Sequence, residues 1–183
     1  SHPNILPTFA KNEEQGKHWI HRAYTEWPSL EQLIDNPRNI ASILSILYNV
    51  SEALEEYHRN GIIHGNIKPS NIFLEPEGEG LYIADAGLWI LHQNSSSRKT
   101  VRSKNAYVYA APEMSQNKTP STESDVYSLA MVSYILLTGQ LPFNAVDPAT
   151  ILVRQLSSTP ALPSSINHNL PENLDQILIK GLS

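Results

Sequence analysis

The stretch "HGNIKPSN", His64 to Asn71, brings together groups able to hold phosphate and a hard cation. Lys68 offers a compact point charge suited to a phosphate oxygen. Asn71 and, further on, Asp85 offer an amide carbonyl and a carboxylate, the oxygen donors that Mg²⁺ prefers. Taken singly, Asn and Asp flanking short strands are turn formers, and the metal reading is the weaker one on their types alone. Asn66, in the same loop, carries an amide. Its amide oxygen accepts a hydrogen bond but is no base near neutral pH.

These groups need elements to hold them. Ile40, Ile43, Leu44, Leu47, Val50, Ala53, Leu54 and Tyr57 recur at spacings of three and four, which predicts an amphipathic helix closed by Gly61. "NIFL" and "LYIA" predict two short strands joined by the turn-rich "EPEGEG". Antiparallel pairing would set Asn71, opening the first, beside Asp85, following the second, at the end that faces the Asn66–Lys68 loop. "VYSLAMVSYILL", Val126 to Leu137, predicts a buried core helix, capped by Ser121 or Thr122 and ended by Gly139. Asp125 near its start would at least favour the helix dipole. A strand around Ile20, a short helix capped by Ser29 and a last helical pattern, "LDQILIKGL", complete the elements. Between them "HQNSSSRKTVRSKN" carries Arg98, Lys99, Arg102 and Lys104 and no acidic residue. It reads either as a solvated loop or as a segment that receives a phosphate or an acidic partner.

Composition narrows the function classes. The chain has 183 residues, 40% hydrophobic and 17% charged, enough for one domain with a core. A net charge of -5 gives no reason to expect nucleic acid or an anionic membrane as partner. The absence of cysteine excludes disulfides and thiolate metal sites and makes a reducing, cytoplasmic setting the default. The sequons at Asn49, Asn94 and Asn117 then read as chance matches. No run of 18 apolar residues occurs, so a soluble chain without a membrane segment is expected. The start "SHPNIL" and the end "QILIKGLS" suggest a piece of a longer protein.

Five motifs in register resemble the C-terminal lobe of a eukaryotic-type protein kinase, closest to bacterial Ser/Thr kinases. "HPNIL" looks like the start of the fourth strand of the N-terminal lobe, and "IIHGNIKPSNIFL" like the catalytic loop, commonly HRDLKPxNxxL. "IADAGL" resembles the DFG segment, "YAAPE" the APE motif, and "SDVYSLAMVSYILLTGQLPF" the central buried helix. The implied fold is mainly α with small β-hairpins. Residues 1–28 would be the last N-lobe strands and the hinge, and 29–183 a helical C-lobe truncated before its last helices. Missing are a Gly-rich loop and a V-A-I-K strand, so the N-lobe is largely absent. The resemblance implies ATP as cofactor, with Mg²⁺ on Asn71 and Asp85, Lys68 approaching the transferred phosphate and Phe73 among the cofactor-binding residues. It implies structural roles for His64, for Asp125 as acceptor of catalytic-loop amides, and for Glu113, whose arginine partner would lie beyond Ser183.

The departures from the family pattern are concentrated at the chemistry. Asn66 replaces the catalytic aspartate, and Gly65 the arginine that would bind a phosphorylated activation segment, which here runs from Asp85 to Glu113. Ala86 replaces the DFG phenylalanine, and Ala106 a threonine that bonds the catalytic aspartate. On the alignment of "WIHRAYTEW" with the hinge, Arg22 stands near the gatekeeper and Ala23 where an acidic residue is usual. Arg22 would then pair with an acidic group or obstruct nucleotide; on a shifted alignment it is a surface arginine. The expectation is a kinase-like domain with impaired catalysis, acting as a regulatory or interaction module toward an unidentified protein. The alternatives are a working or slow Ser/Thr kinase acting on a protein substrate, and a packing half of a larger protein without a site of its own.

Overall fold

A computed structural model describes residues 2–14, 17–35, 38–76, 80–89, 108–115 and 118–183. Strands β1 (Thr8–Glu14) and β2 (Lys17–Arg22) pair antiparallel, with Lys11 opposite Ile20 and an irregularity between Thr8 and Ala10. "HPNIL" does not start this strand as expected. Asn4 to Leu6 instead lies parallel to the segment at Ile83, whose amide donates to the Asn4 carbonyl at 2.8 Å while the Leu6 amide donates to the Ile83 carbonyl at 2.9 Å. The strand proper begins only after Pro7, which has no amide to give a ladder.

Helix α1 (Leu30–Leu33) is entered through Ser29, whose amide donates to the Gln32 side chain at 2.8 Å. Helix α2 (Ile40–Arg59) starts at Asn39, which accepts the Ser42 amide at 2.7 Å, and stops before Gly61, a left-handed residue at φ 69°. Its buried stripe runs through Ile43, Ile46, Val50, Ala53 and Leu54. Leu44, placed on that stripe from spacing, is 42% exposed, while the unassigned Ile46 is only 9% exposed. The two differ by half a helical turn, and the stripe's phase is set by what α2 packs on rather than by its own apolar count.

A 3₁₀ turn, Pro69–Asn71, leads into β3 (Ile72–Leu74), which pairs antiparallel with β4 (Leu81–Ile83), Ile72 opposite Ile83. Helix α3 (Pro112–Ser115) precedes α4 (Thr122–Thr138), which Ser121 caps and Gly139 ends at φ 71°. Apolar on nearly every side, α4 is the central post of the domain. Its buried Ser128 and Ser133 hydroxyls donate back to the Ser124 and Leu129 carbonyls, at 2.9 and 2.7 Å, so burial leaves neither serine hydroxyl unbonded. Helices α5 (Pro148–Ser157), α6 (Pro163–Ile166) and α7 (Asn173–Gly181) follow, the first capped by Asp147.

Val50 and Leu54 of α2, Ile72 and Ile83 of the hairpin and Val132 of α4 form one core cluster. Tyr134 and Met131 of α4 anchor a second with Met114 and Leu182. The architecture is therefore mainly helical with two small antiparallel strand pairs, as the sequence predicts. No helix among the described residues is long and apolar enough to cross a membrane. Ala106, the basic segment of residues 98–104 and the sequons at Asn94 and Asn117 lie outside the described residues.

Candidate active site

The His64–Asn71 loop runs from the end of α2 to the start of β3, and α4 holds it from below through one carboxylate. Asp125, fully buried in the first turn of α4, accepts the His64 amide at 2.8 Å on Oδ2 and the Gly65 amide at 2.7 Å on Oδ1. The His58 ring, in the last turn of α2, lies with Nε2 2.9 Å from the same Oδ2. A carboxylate is an acceptor with several lone-pair positions, so it can take both loop amides and still lie against the His58 ring.

Next along the chain, the Asn66 amide donates to His64 Nδ1 at 3.2 Å. The Asn71 side chain donates to the Asn66 carbonyl at 2.8 Å, and the Asn71 amide to the Lys68 carbonyl at 3.0 Å. Because Ile72 pairs with Ile83, Asn71 meets Ala84, whose amide donates to the Asn71 carbonyl at 3.0 Å. Asn71 and Asp85 thus come together at the open end of the hairpin beside the loop. Among the described residues no carboxylate hydrogen-bonds the Asn66 side chain; both bonds at this position use its backbone. Lys68 is half-buried on the same loop, Phe73 half-buried on β3 and Ala86 half-buried just after Asp85. Glu113 lies in the first turn of α3 and makes no ion pair among the described residues.

Among the described residues Asp85 is the one non-glycine residue held at positive φ, 65°. Asp tolerates the left-handed region better than most residues, yet a cost remains and must be met by its neighbours. Ala84 is tied to Asn71, and the Gly87 amide donates to the His64 carbonyl at 2.9 Å, so the residue is clamped on both sides. Its carboxylate faces Arg22: Nε lies 3.5 Å from Oδ1, and Cζ lies 5.6 Å from the centre of the Phe73 ring. Hard oxygen donors for Mg²⁺ are therefore present, but the one that carries charge already faces a cation. The fit to a divalent ion at Asp85 is poor.

Two residues that shape the loop were not singled out from sequence. For His58 the surrounding "EYHRNG" offers only a basic group in a last helical turn. Trp89, a few residues past Asp85 in "DAGLW", donates from Nε1 to the Ile63 carbonyl at 3.2 Å. Its ring lies over Gly65, which sits at φ 68°, and a Cβ at position 65 would come within 2.4 Å of Trp89 Cδ1. Glycine is required here twice over, by backbone and by space. Gly65→Ala is expected to cost about 2–4 kcal/mol in urea unfolding, from left-handed strain plus overpacking. Adding Trp89→Ala should recover the steric part, making the pair less than additive.

Burial holds the His64 imidazole down at about 4, against the opposing pull of Asp125, so it is neutral near pH 7. The Tyr57 ring meets it edge-on at 5.7 Å, and burial, then the Asp85 charge, pushes that phenol up to about 12. With the folded value below the unfolded one, the unfolded chain takes the proton first as pH falls. Stability from this group is intact above about 6.5 and is lost as pH drops toward about 4. The loss amounts to about 3 kcal/mol, and comparison with His64→Gln in urea titrations at pH 7 and pH 4 should isolate it.

Comparison with known proteins agrees with this geometry: the protein kinase domain family matches residues 1–181. The chain belongs to the protein kinase family. The kinase domain is 30% identical over 186 residues to a probable serine/threonine-protein kinase of Clostridium perfringens, covering 100% of this chain and 27% of that protein. It is 26% identical over 182 residues to the serine/threonine-protein kinase PrkC of Bacillus subtilis, covering 98% of this chain and 28% of that protein. With PknB of Mycobacterium tuberculosis it shares 26% over 191 residues, covering 100% of this chain and 30% of that one. The kinase domain thus spans less than a third of the length of these relatives.

Proposed function

We propose that this kinase domain is impaired in phosphoryl transfer and serves the longer protein as a regulatory or interaction module toward another protein. The observation that carries this reading is Asn66, an amide in the loop position where the family has its proton-accepting aspartate, with no described carboxylate bonded to it. Without a base the attacking hydroxyl must lose its proton to water. Gly65 under Trp89 supports the same reading, because the basic group that would answer a phosphorylated segment has no room to return. The cradle, by contrast, is kept: Asp125 still fixes the loop backbone, as a module selected for shape would need.

A second reading, a working ATP-dependent Ser/Thr protein kinase, is favoured by the meeting of Asn71, Asp85 and Lys68 at one end of the hairpin. A loose transition state depends mainly on positioning and charge, which these residues could supply. Transfer to a protein substrate by the full-length protein, compared with its Asn66→Asp variant, separates the two. Wild-type turnover below the variant's is the expected result. Wild-type turnover in the ordinary kinase range, about 1–100 s⁻¹, and unchanged by the substitution, would overturn it. Background rates in both would leave the module reading standing and move the defect from Asn66 to Arg22 or Ala86.

A further inference from the structure

We infer that Arg22 is the resident cation of the cleft, standing at Asp85 in place of a divalent metal ion. Three elements converge on it. Arg22 ends β2, Phe73 lies on β3, and Asp85 follows β4. The Arg22 backbone is fixed by its pairing opposite Thr8 and by the next amide, Ala23, which donates to the Pro7 carbonyl at 2.7 Å. Asp85 is fixed by the clamp that holds its left-handed backbone. Between these anchors the guanidinium lies near the Phe73 face, 5.6 Å from its centre, with Nε 3.5 Å from the carboxylate.

The chemistry favours occupancy by this side chain. Arginine does not deprotonate in proteins, so the charge at Asp85 is met at every physiological pH. The arginine fork is weakly hydrated and stacks on aromatic faces, where an ammonium would keep its water. The two side chains are 36% and 27% exposed, so the attraction between them is modest, and the ion pair is not by itself a lock. The larger effect is on a newcomer. A doubly charged ion brought to Asp85 meets a like charge beside it, 3.5 Å from the carboxylate, and a carboxylate whose charge is already balanced. Arg22 also covers Phe73, so one side chain takes both the aromatic floor and the charged ligand.

The inference concerns Arg22 and Asp85 and does not depend on Asn66, and its test uses no phosphoryl transfer. The melting temperature of the full-length protein is measured with ATP in excess Mg²⁺ and with ATP in EDTA, for wild type and Arg22→Met. Methionine keeps an unbranched apolar stem and loses the charge. Wild type should melt alike in the two conditions, whereas the variant should gain Mg²⁺-dependent stabilisation equivalent to at least about tenfold tighter binding. A Mn²⁺ titration followed by water-proton relaxation should show the same contrast without nucleotide. A wild-type response to Mg²⁺ as large as the variant's, or a variant that responds no more than wild type, would overturn the inference.

Discussion

Asp125→Ala is expected to lower the domain's stability by about 3–5 kcal/mol, the cost of removing one partner from a buried charged network. The figure follows from what the carboxylate leaves behind. The His64 and Gly65 amides both point at it, at 2.8 and 2.7 Å, and alanine offers no acceptor to either. Each orphaned donor costs about 1–3 kcal/mol, and His58 Nε2 loses its partner as well. Against a domain total of about 5–15 kcal/mol, the substitution would leave a marginal fold. Asp125→Asn is a sharper probe of the same idea. Its single oxygen can serve one amide, but its NH₂ would face the other, donor against donor, so most of the loss should persist. Equilibrium urea unfolding reads both variants, with an unchanged slope showing that stability rather than compactness has moved. A loss under about 1 kcal/mol in Asp125→Ala would mean that the loop is held by something else.

Much of this frame was legible in the chain because its signals are local. The caps and glycine stops of α2 and α4 fall where Gly61, Ser121 and Gly139 place them. The hairpin argument needed only two apolar triplets and a turn to bring Asn71 beside Asp85. What was not legible depends on partners distant in sequence. Leu44 and Ile46 are equally apolar, and only the position of the hairpin and α4 against α2 decides which one is buried. Gly65 read as a lost arginine, but the reason it must be glycine is Trp89, brought over it by a backbone reversal after Asp85. The sequence leaves Arg22 open between an acidic partner, an obstruction to nucleotide and a surface position, since nothing in "WIHRAYTEW" names a carboxylate that arrives from the far side of the hairpin. Trp89 and Arg22 also show why motif order outruns motif chemistry. Five segments identify the family, yet the contacts of Gly65 and Asp85 involve two side chains that lie outside those segments.

That dependence sets the size of the second effect. General-base assistance contributes roughly 10²–10⁴ in rate, so Asn66→Asp in the full-length protein has at most that much to return. The loop is built to receive the new carboxylate: the backbone at position 66 is held by the His64 ring at 3.2 Å and by the Asn71 side chain at 2.8 Å, and neither bond uses the Asn66 side chain. Exchange of amide for carboxylate changes no volume, so stability should move by less than about 0.5 kcal/mol. If Arg22 stands at Asp85, however, a base alone acts on a cleft whose charge is already balanced, and the single variant should gain only a small part of the range. Arg22→Met added to Asn66→Asp should then give more than the product of the two separate gains, the sign of coupled residues rather than independent ones. Steady-state transfer rates for wild type, both single variants and the pair complete the cycle. Equal gains from Asn66→Asp with and without Arg22→Met would show that the two positions act separately. A pair no faster than wild type would place the remaining defect at Ala86, the position where the family has a phenylalanine.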